Sequence, residues 1–220
     1  MKIFKKDSKL YLIPIIFAIT IVPLIVYLKE IELGSFLAQY WTSDVNMDFF
    51  SYHKAMWFIG SALVGLVAFL VYLSKGGELK KTKYYIPIGV YTFFTVISSF
   101  LSETPFVSFL GFPDRYEGLL VLLSYMLLMF LAINLINDKK AVKVVVVALL
   151  ISSVILGVQG VFQYFGMDFF QTDFGRHLIL PRDSHNLVNN LNFHFGKRII
   201  YSTMFNPNYV GSYTAMLFSL

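Results

Sequence analysis

Five uncharged, apolar runs constrain the fold of this chain more than any other feature of its sequence. The runs are residues 10–28, 55–73, 84–101, 119–136 and 144–164. A transmembrane helix needs about 20 consecutive apolar residues to cross the hydrocarbon core of a bilayer, and each run comes close to that length. With 57% hydrophobic and only 14% charged residues, the composition is that of a membrane protein. The sequence therefore predicts an all-α, polytopic transmembrane bundle, with residues 1–220 in one domain.

A sixth apolar run begins at Tyr209 and reaches Leu220. Its 12 residues, if helical, span only about 18 Å of a hydrocarbon core about 30 Å thick. A helix that stopped there would leave backbone carbonyl groups unpaired in lipid. We therefore expect five complete spans plus the start of a sixth at residues 209–220, in the N-terminal part of a longer protein.

The lysines between the runs predict the side of the membrane that each loop occupies. Three segments on one side carry 4, 4 and 3 lysines, namely residues 1–9, 74–83 and 137–143. By the positive-inside rule this side is the cytoplasm, which makes the N-terminus cytoplasmic in a multi-pass protein of the cytoplasmic membrane. The other side holds residues 29–54, 102–118 and the extracytoplasmic loop 165–208. The basic net charge follows from this topology and indicates no nucleic-acid partner.

All four arginines lie on the predicted outer side, at Arg115, Arg176, Arg182 and Arg198. Lysine alone accounts for the orientation, so the outer arginines need another explanation. A guanidinium group binds phosphate or carboxylate through two parallel hydrogen bonds, a geometry that an ammonium group cannot match. The bias reflects either chance among four residues or a site for an anionic group at the outer surface.

Arg115 lies in the segment GFPDRYEGLL, residues 111–120, directly before the fourth run. Prolines and a glycine break the preceding helix, so Arg115 is expected about one turn outside the hydrocarbon. Two interpretations remain open for this arginine. Asp114 and Glu117 neutralise it at the membrane surface, or it binds a ligand.

In the first outer loop, the spacing of apolar residues predicts a short helix that lies at the membrane interface. Its residues are Leu33, Phe36, Leu37, Tyr40 and Trp41. The acids that follow, Asp44 and Asp48, have no third ligand nearby, so they predict no metal site.

The third outer loop contains three of the four histidines, His177, His185 and His194. They lack the spacing of a zinc-binding pair on a helix, and the chain has no cysteine, so again no metal site is predicted. Each histidine is either a general base or a solvated loop residue.

The outer end of the fifth run carries two amides, Gln159 and Gln163, on one helix face. At that depth an amide needs a partner, which is either a neighbouring helix or a bound substrate. The third outer loop then ends in Asn206, Pro207 and Asn208, just before the sixth run. This pattern predicts a helix start with Asn208 as a candidate cap, and a helix N-terminus suits an anionic phosphate group.

Three stretches, in this order, resemble the O-antigen ligase family of polytopic membrane glycosyltransferases, which includes O-antigen polymerase-like members. They are DRYEGLLVLLSYMLL, GVFQYFGMDFF and IIYSTMFNPNYVGSY. The resemblance covers residues 111–220 and implies a fold related to the C-type glycosyltransferases. It also implies transfer of a glycan from an undecaprenyl pyrophosphate carrier to a lipid, polysaccharide or protein acceptor on the outer face of the cytoplasmic membrane, with no metal or other cofactor.

On this resemblance, the residues expected to bind substrate are Arg115, Glu117, Gln163, Arg198, Asn206 and Asn208. Arginines at the membrane surface stabilise the negative charge that develops on a pyrophosphate leaving group. The family's catalytic histidine is expected after residue 220, so residues 1–220 are not expected to be active alone. Two other classes stay open: a transporter or flippase of a lipid-linked or anionic substrate, and a non-catalytic membrane subunit.

Overall fold

The computed structural model describes residues 8–40, 43–191, 193, 195 and 198–218, and it is mostly helical. The chain divides into two compact units. The first comprises Met1–Val22 and Lys54–Leu150, and the second comprises Pro23–His53 and Ile151–Leu220. Each unit is built around its own apolar core.

Nine α-helices are found in the described part of the chain. They are α1 (Ile13–Thr20), α2 (Ser35–Ala38), α3 (Tyr52–Ser74), α4 (Tyr85–Phe100), α5 (Pro105–Leu110), α6 (Leu119–Leu135), α7 (Lys139–Tyr164), α8 (Asp173–Ile179) and α9 (Pro207–Phe218). Two short strands, β1 (Lys29–Glu32) and β2 (Val45–Asp48), form an antiparallel hairpin.

Helices α3, α4, α6, α7 and α9 coincide with predicted apolar runs. With 23 and 26 residues, α3 and α7 are long and apolar enough to cross a membrane. Helices α4 and α6 are apolar but shorter, at 16 and 17 residues. The helical character of these runs is therefore confirmed, and two of the helices have membrane-spanning length. The bundle of five complete spans stays a prediction.

The first apolar run does not form one helix from residue 10 to residue 28, so that boundary was wrong. Helix α1 is followed by one 3-10 turn, Val22–Leu24, and residues 25–28 have no regular secondary structure. Pro23 explains the break because it has no backbone N–H to donate to an earlier carbonyl. Leu28 is buried in the core of the second unit, where its backbone N–H donates to the Ile179 carbonyl at 2.8 Å.

The first unit packs α1, α4 and α5 around α6. Its core consists of Leu12, Ile15, Phe69, Leu131, Leu135 and Ala141. One polar side chain, Asn134, is completely buried there. Its amide oxygen accepts from the Lys80 backbone N–H and from the Tyr85 hydroxyl, both at 3.0 Å. Its amide nitrogen donates to the Phe130 carbonyl at 2.8 Å. Asn134 thereby fastens the loop before α4 to the end of α6.

The first outer loop differs from its prediction because most of it is the β1–β2 hairpin. Only one helical turn, α2, lies between the strands, and Trp41 falls outside the described residues. The predicted apolar face is split: Leu33 and Leu37 are buried in protein, whereas Phe36 and Tyr40 are exposed. Leu33 and Leu37, which were predicted to face the membrane interface, are therefore buried by contacts within the protein.

The third outer loop is folded and shares a core with the first. It contains α8 and two 3-10 turns, Phe169–Gln171 and Arg182–Leu187. The buried residues of this core are Val26, Leu28, Phe49, Phe50, Phe170, Ile179, Leu180, Val188 and Tyr201. Because each large apolar side chain contributes about 1.5–3 kcal/mol when it is fully buried, this core is a substantial source of local stability.

Candidate functional site

The DRYEG segment forms a loop that two glycines close. Gly111 ends α5 with its N–H donating to the Val107 carbonyl at 2.8 Å, and it has a φ of 92°. A β-carbon on Gly118 would collide with the Gly111 backbone nitrogen, and one on Gly111 would collide with the backbone of Tyr116 and Glu117. Only glycine at both positions lets the two ends of the loop meet.

The same loop exposes two of its charged residues, Arg115 and Glu117. Asp114 and Tyr116 have φ values of 69° and 51°, and the Tyr116 N–H donates to the Phe112 carbonyl at 2.9 Å. Tyr116 is buried, whereas Arg115 and Glu117 on either side of it are exposed. Within the described residues, no hydrogen bond or ion pair reaches the Arg115 guanidinium. The loop therefore presents this cation to solvent.

In the second unit, the Gln163 side chain clamps the end of the third outer loop onto α7. Its amide oxygen accepts from the backbone N–H groups of Tyr201 and Ser202 at 3.2 and 2.6 Å. Its amide nitrogen donates to the Ser202 carbonyl at 3.2 Å. The partner of this buried amide, which the sequence left open, is thus the protein's own backbone. Both ends of the Gln163 amide are engaged in this way, so the residue supports the loop and its amide is not free to bind a ligand.

A carboxylate and a phenol extend the clamp. The Tyr201 hydroxyl donates to the Asp168 carboxylate, which also accepts from the Phe170 N–H at 3.1 Å. Burial, then the hydrogen bond to Asp168 and its negative charge, raise the pKa of the Tyr201 hydroxyl well above its ordinary value. Tyr201 therefore remains a hydrogen-bond donor at physiological pH and is not available as a general base.

Arg198 lies three residues before the clamped segment. Its φ is 64°, and its guanidinium carbon lies 5.9 Å from the centre of the Tyr164 ring, within the range of a cation–π contact. Ile200, two residues after Arg198, packs closely on Gly160. A β-carbon on Gly160 would lie 2.7 Å from the Ile200 side chain. The clamp and this close packing fix the position from which Arg198 projects.

An open groove of about 830 Å³ lies beside Arg198. Helix α9 contributes residues at intervals of three and four, which form one helix face: Pro207, Val210, Gly211, Thr214, Ala215 and Phe218. The remaining lining residues are Tyr164, Arg198, Ile199 and Ile200. Among these lining residues, all within the described part, Arg198 alone carries a charge. The groove is therefore apolar along its length, with one cation in its wall.

The start of α9 is capped by Asn206 and not by Asn208, so the cap was predicted two residues too late. The Asn206 side-chain oxygen accepts from the Asn208 backbone N–H at 2.9 Å. Pro207 occupies the first helical position, where its fixed φ and missing N–H are no disadvantage, and the capping residue must precede it. Asn208 is exposed, and its carbonyl accepts from the Ser212 hydroxyl at 2.9 Å.

The six residues predicted to bind substrate divide between the units. Arg115 and Glu117 belong to the first, and the other four belong to the second. Arg198 lines the groove, while Gln163 and Asn206 precede the lining residues Tyr164 and Pro207 in the chain. Asn208 is not among the lining residues.

Sequence analysis did not identify three residues of this region, Tyr164, Asp168 and Tyr201. An aromatic residue at the outer end of an apolar run is a usable signal for Tyr164. The Asp168–Tyr201 contact has no local signal, because 33 residues separate its partners.

The histidines and Arg176 have local partners. His177 Nδ1 lies 2.7 Å from the Asp173 carbonyl oxygen, and its ring centre lies 5.0 Å from that of His185. Arg176 donates to the Val188 carbonyl at 3.2 Å, which makes it a brace within the folded loop. In the described part of the chain, no group of three or more metal-binding side chains is found. His194 lies outside that part.

No protein-family model matches the chain, and no match is found among curated proteins or solved structures.

Proposed function

We propose that the chain belongs to a membrane glycosyltransferase of the O-antigen ligase type, acting at the outer face of the cytoplasmic membrane. Its donor is a glycan on undecaprenyl pyrophosphate, and its acceptor is a lipid, a polysaccharide or a protein. The observation that carries the proposal is the apolar groove with Arg198 in its wall. A polyprenyl phosphate has the same division into a long apolar chain and an anionic head.

The groove suits both parts of such a carrier. Isoprenoid units pack against apolar surface without needing hydrogen bonds, which matches the face of α9 around Gly211 and Ala215. A guanidinium binds phosphate oxygens in pairs, and Arg198 is exposed beside the groove. The N-terminal end of α9 begins at Pro207 in the same groove, and the partial positive charge of a helix N-terminus favours an anion there.

In this proposal the chain's own residues hold and stabilise the leaving group. As the glycosidic bond breaks, negative charge grows on the pyrophosphate, so a fixed cation contributes more in the transition state than in the ground state. Arg198 supplies that cation, and Gln163 with Tyr201 fixes the segment from which it projects. Arg115 belongs to the first unit and is not among the residues that line the groove, so its substrate-binding role stays a prediction from the sequence.

The proposed topology follows the lysines. Helices α3 and α7 have the length and composition of membrane spans. Helix α7 begins with Lys139, Lys140 and Lys143 and ends at Tyr164, which fits a cytoplasmic start and an outer end. Apolar side chains cover much of the exposed surface of α4, including Val90, Phe93 and Phe94, as expected for a helix that faces lipid.

The test is glycan transfer by the complete protein, purified in detergent. We expect Arg198→Ala to lower kcat by about 100- to 1000-fold, as removal of a preorganised charge-stabilising group does, and Arg198→Lys to retain part of the rate. Arg182→Ala, an exposed arginine of the same unit that does not line the groove, is the matched control. An unchanged rate for Arg198→Ala would exclude this role for Arg198.

The same preparation separates the enzyme from a transporter. Detergent leaves no barrier to cross, so transfer of glycan there is expected of an enzyme alone. Absence of transfer by the wild-type protein, together with movement of the lipid-linked substrate across vesicle membranes, would favour the transporter.

A further inference from the structure

The segment after α7 leaves several large apolar side chains exposed, and four of them are more than half accessible. Phe165, Met167, Phe174 and Leu178 are 68%, 57%, 71% and 57% accessible. In the same segment Phe170 and Ile179 are buried in the core of the second unit. A folded loop in water seldom leaves so many large apolar side chains exposed together. We therefore expect this surface to contact an apolar environment.

The packing of α8 fixes its orientation, so Phe174 and Leu178 cannot turn inward. The Thr172 hydroxyl accepts from the Gly175 N–H at 3.0 Å at the start of the helix. A β-carbon on Gly175 would collide with the Phe169 carbonyl, which shows how closely that side of α8 packs. Phe174 and Leu178, four residues apart, share one helix face that points away from the core.

The end of α7 sets the depth of this surface. From Lys143 to Tyr164 the helix rises about 32 Å, close to the ~30 Å of a hydrocarbon core. The helix ends in a Schellman motif at Gly166, with the Met167 N–H donating to the Phe162 carbonyl at 2.9 Å. With Lys143 at the cytoplasmic boundary, Tyr164 reaches the outer boundary, and the exposed residues follow within the next 14 positions.

We propose that Phe165, Met167, Phe174 and Leu178 form an interface patch that inserts into the headgroup region of the outer leaflet. This rests on the membrane topology proposed above. The occupant is the lipid surface and not a protein, because the patch continues directly from the end of a membrane-length helix and consists of aromatic residues, leucine and methionine. Tyr164 lines the groove beside Arg198, so the patch holds that part of the groove at headgroup depth.

The test measures nitroxide accessibility in lipid nanodiscs. The chain has no cysteine, so Phe174→Cys and Leu178→Cys each give one label site. Labels on the patch are expected to collide more often with lipid-soluble oxygen than with a water-soluble nickel complex. Asp183→Cys, at an exposed position of the same loop, is expected to show the opposite preference.

Ile151→Cys, an exposed position within α7, separates the patch from the topology. If Ile151 is lipid-accessible but Phe174 and Leu178 are water-accessible, the patch is refuted while the topology stands. If Ile151 itself is water-accessible, the topology fails and the patch with it. Exclusion of both reagents from Phe174 and Leu178 would show a protein contact and also overturn the proposal.

Discussion

Arg115 and Arg198 are both exposed arginines on predicted outer loops, but they are held by different means. The loop of Arg115 is closed by backbone contact between Gly111 and Gly118. The segment of Arg198 is held by side-chain hydrogen bonds from Gln163. Arg115 projects into solvent, whereas Arg198 lies beside an aromatic ring in the wall of an apolar groove. Two arginines of comparable exposure therefore differ in their surroundings, and the groove beside Arg198 gives that cation a place where a ligand with an apolar chain can bind.

The largest effect is expected from Gln163→Met, which removes the clamp on the Arg198 side. Two buried backbone N–H groups, of Tyr201 and Ser202, lose their acceptor. Each unsatisfied group costs about 1–3 kcal/mol, so we expect the free energy of unfolding to fall by about 2–6 kcal/mol. Denaturant unfolding in detergent measures this.

Gln159→Met is the matched control for that variant. Gln159 lies one turn earlier on α7, and its amide nitrogen is buried with no hydrogen-bond partner among the described residues. Its replacement should change stability little. Equal losses for both variants would mean that the helix tolerates no change there and that the clamp has no special role.

The next effect is expected at the Arg115 loop. Gly111→Ala forces a β-carbon against the neighbouring backbone at a φ of 92° and a ψ of 165°. A residue other than glycine in this region costs about 1–3 kcal/mol. Gly89→Ala, where a β-carbon meets nothing within 4 Å, should be neutral or stabilising. If thermal unfolding were unaffected by Gly111→Ala, the glycine-closed loop would be contradicted.

Tyr201→Phe probes the clamp with a smaller change. The phenyl ring keeps its stacking on Phe195, but the hydrogen bond to Asp168 is lost. We expect a loss of about 1–2 kcal/mol at neutral pH.

The pH dependence of Tyr201→Phe follows from the raised pKa of the Tyr201 hydroxyl. Above pH about 10 the unfolded chain releases this proton while the folded protein keeps it, so wild-type stability falls as pH rises. The difference between wild type and variant should shrink there. A difference that grows with pH between 9 and 11 would contradict the assignment.

The smallest expected loss of stability comes from alanine substitutions of Asn206 and Asn208, and it should differ between the two. Asn206→Ala removes the cap of α9 and should cost about 1 kcal/mol, whereas Asn208→Ala, at an exposed position, should stay within about 0.5 kcal/mol. Chemical denaturation of the two variants side by side gives the comparison. The reverse order would restore Asn208 as the cap.

What the sequence predicted depends on local information. Uncharged runs predicted the helices because composition and length act within one segment, and Asn206-Pro207 predicted where α9 begins to within two residues. The β1–β2 hairpin was missed because pairing Lys29 with Asp48 depends on a distant segment that alternates exposed and buried residues. The partners of the Gln163 amide could not be predicted for the same reason, because they lie 38 and 39 residues away in the chain.

The most direct test of the account is equilibrium binding of a polyprenyl phosphate to the purified protein in detergent. We expect Arg198→Ala to weaken binding by about 10- to 100-fold, and Arg182→Ala to leave it unchanged. The uncharged polyprenol should bind weakly and equally to wild type and Arg198→Ala. Equal affinity of wild type and Arg198→Ala for the phosphate would contradict the groove as the carrier site.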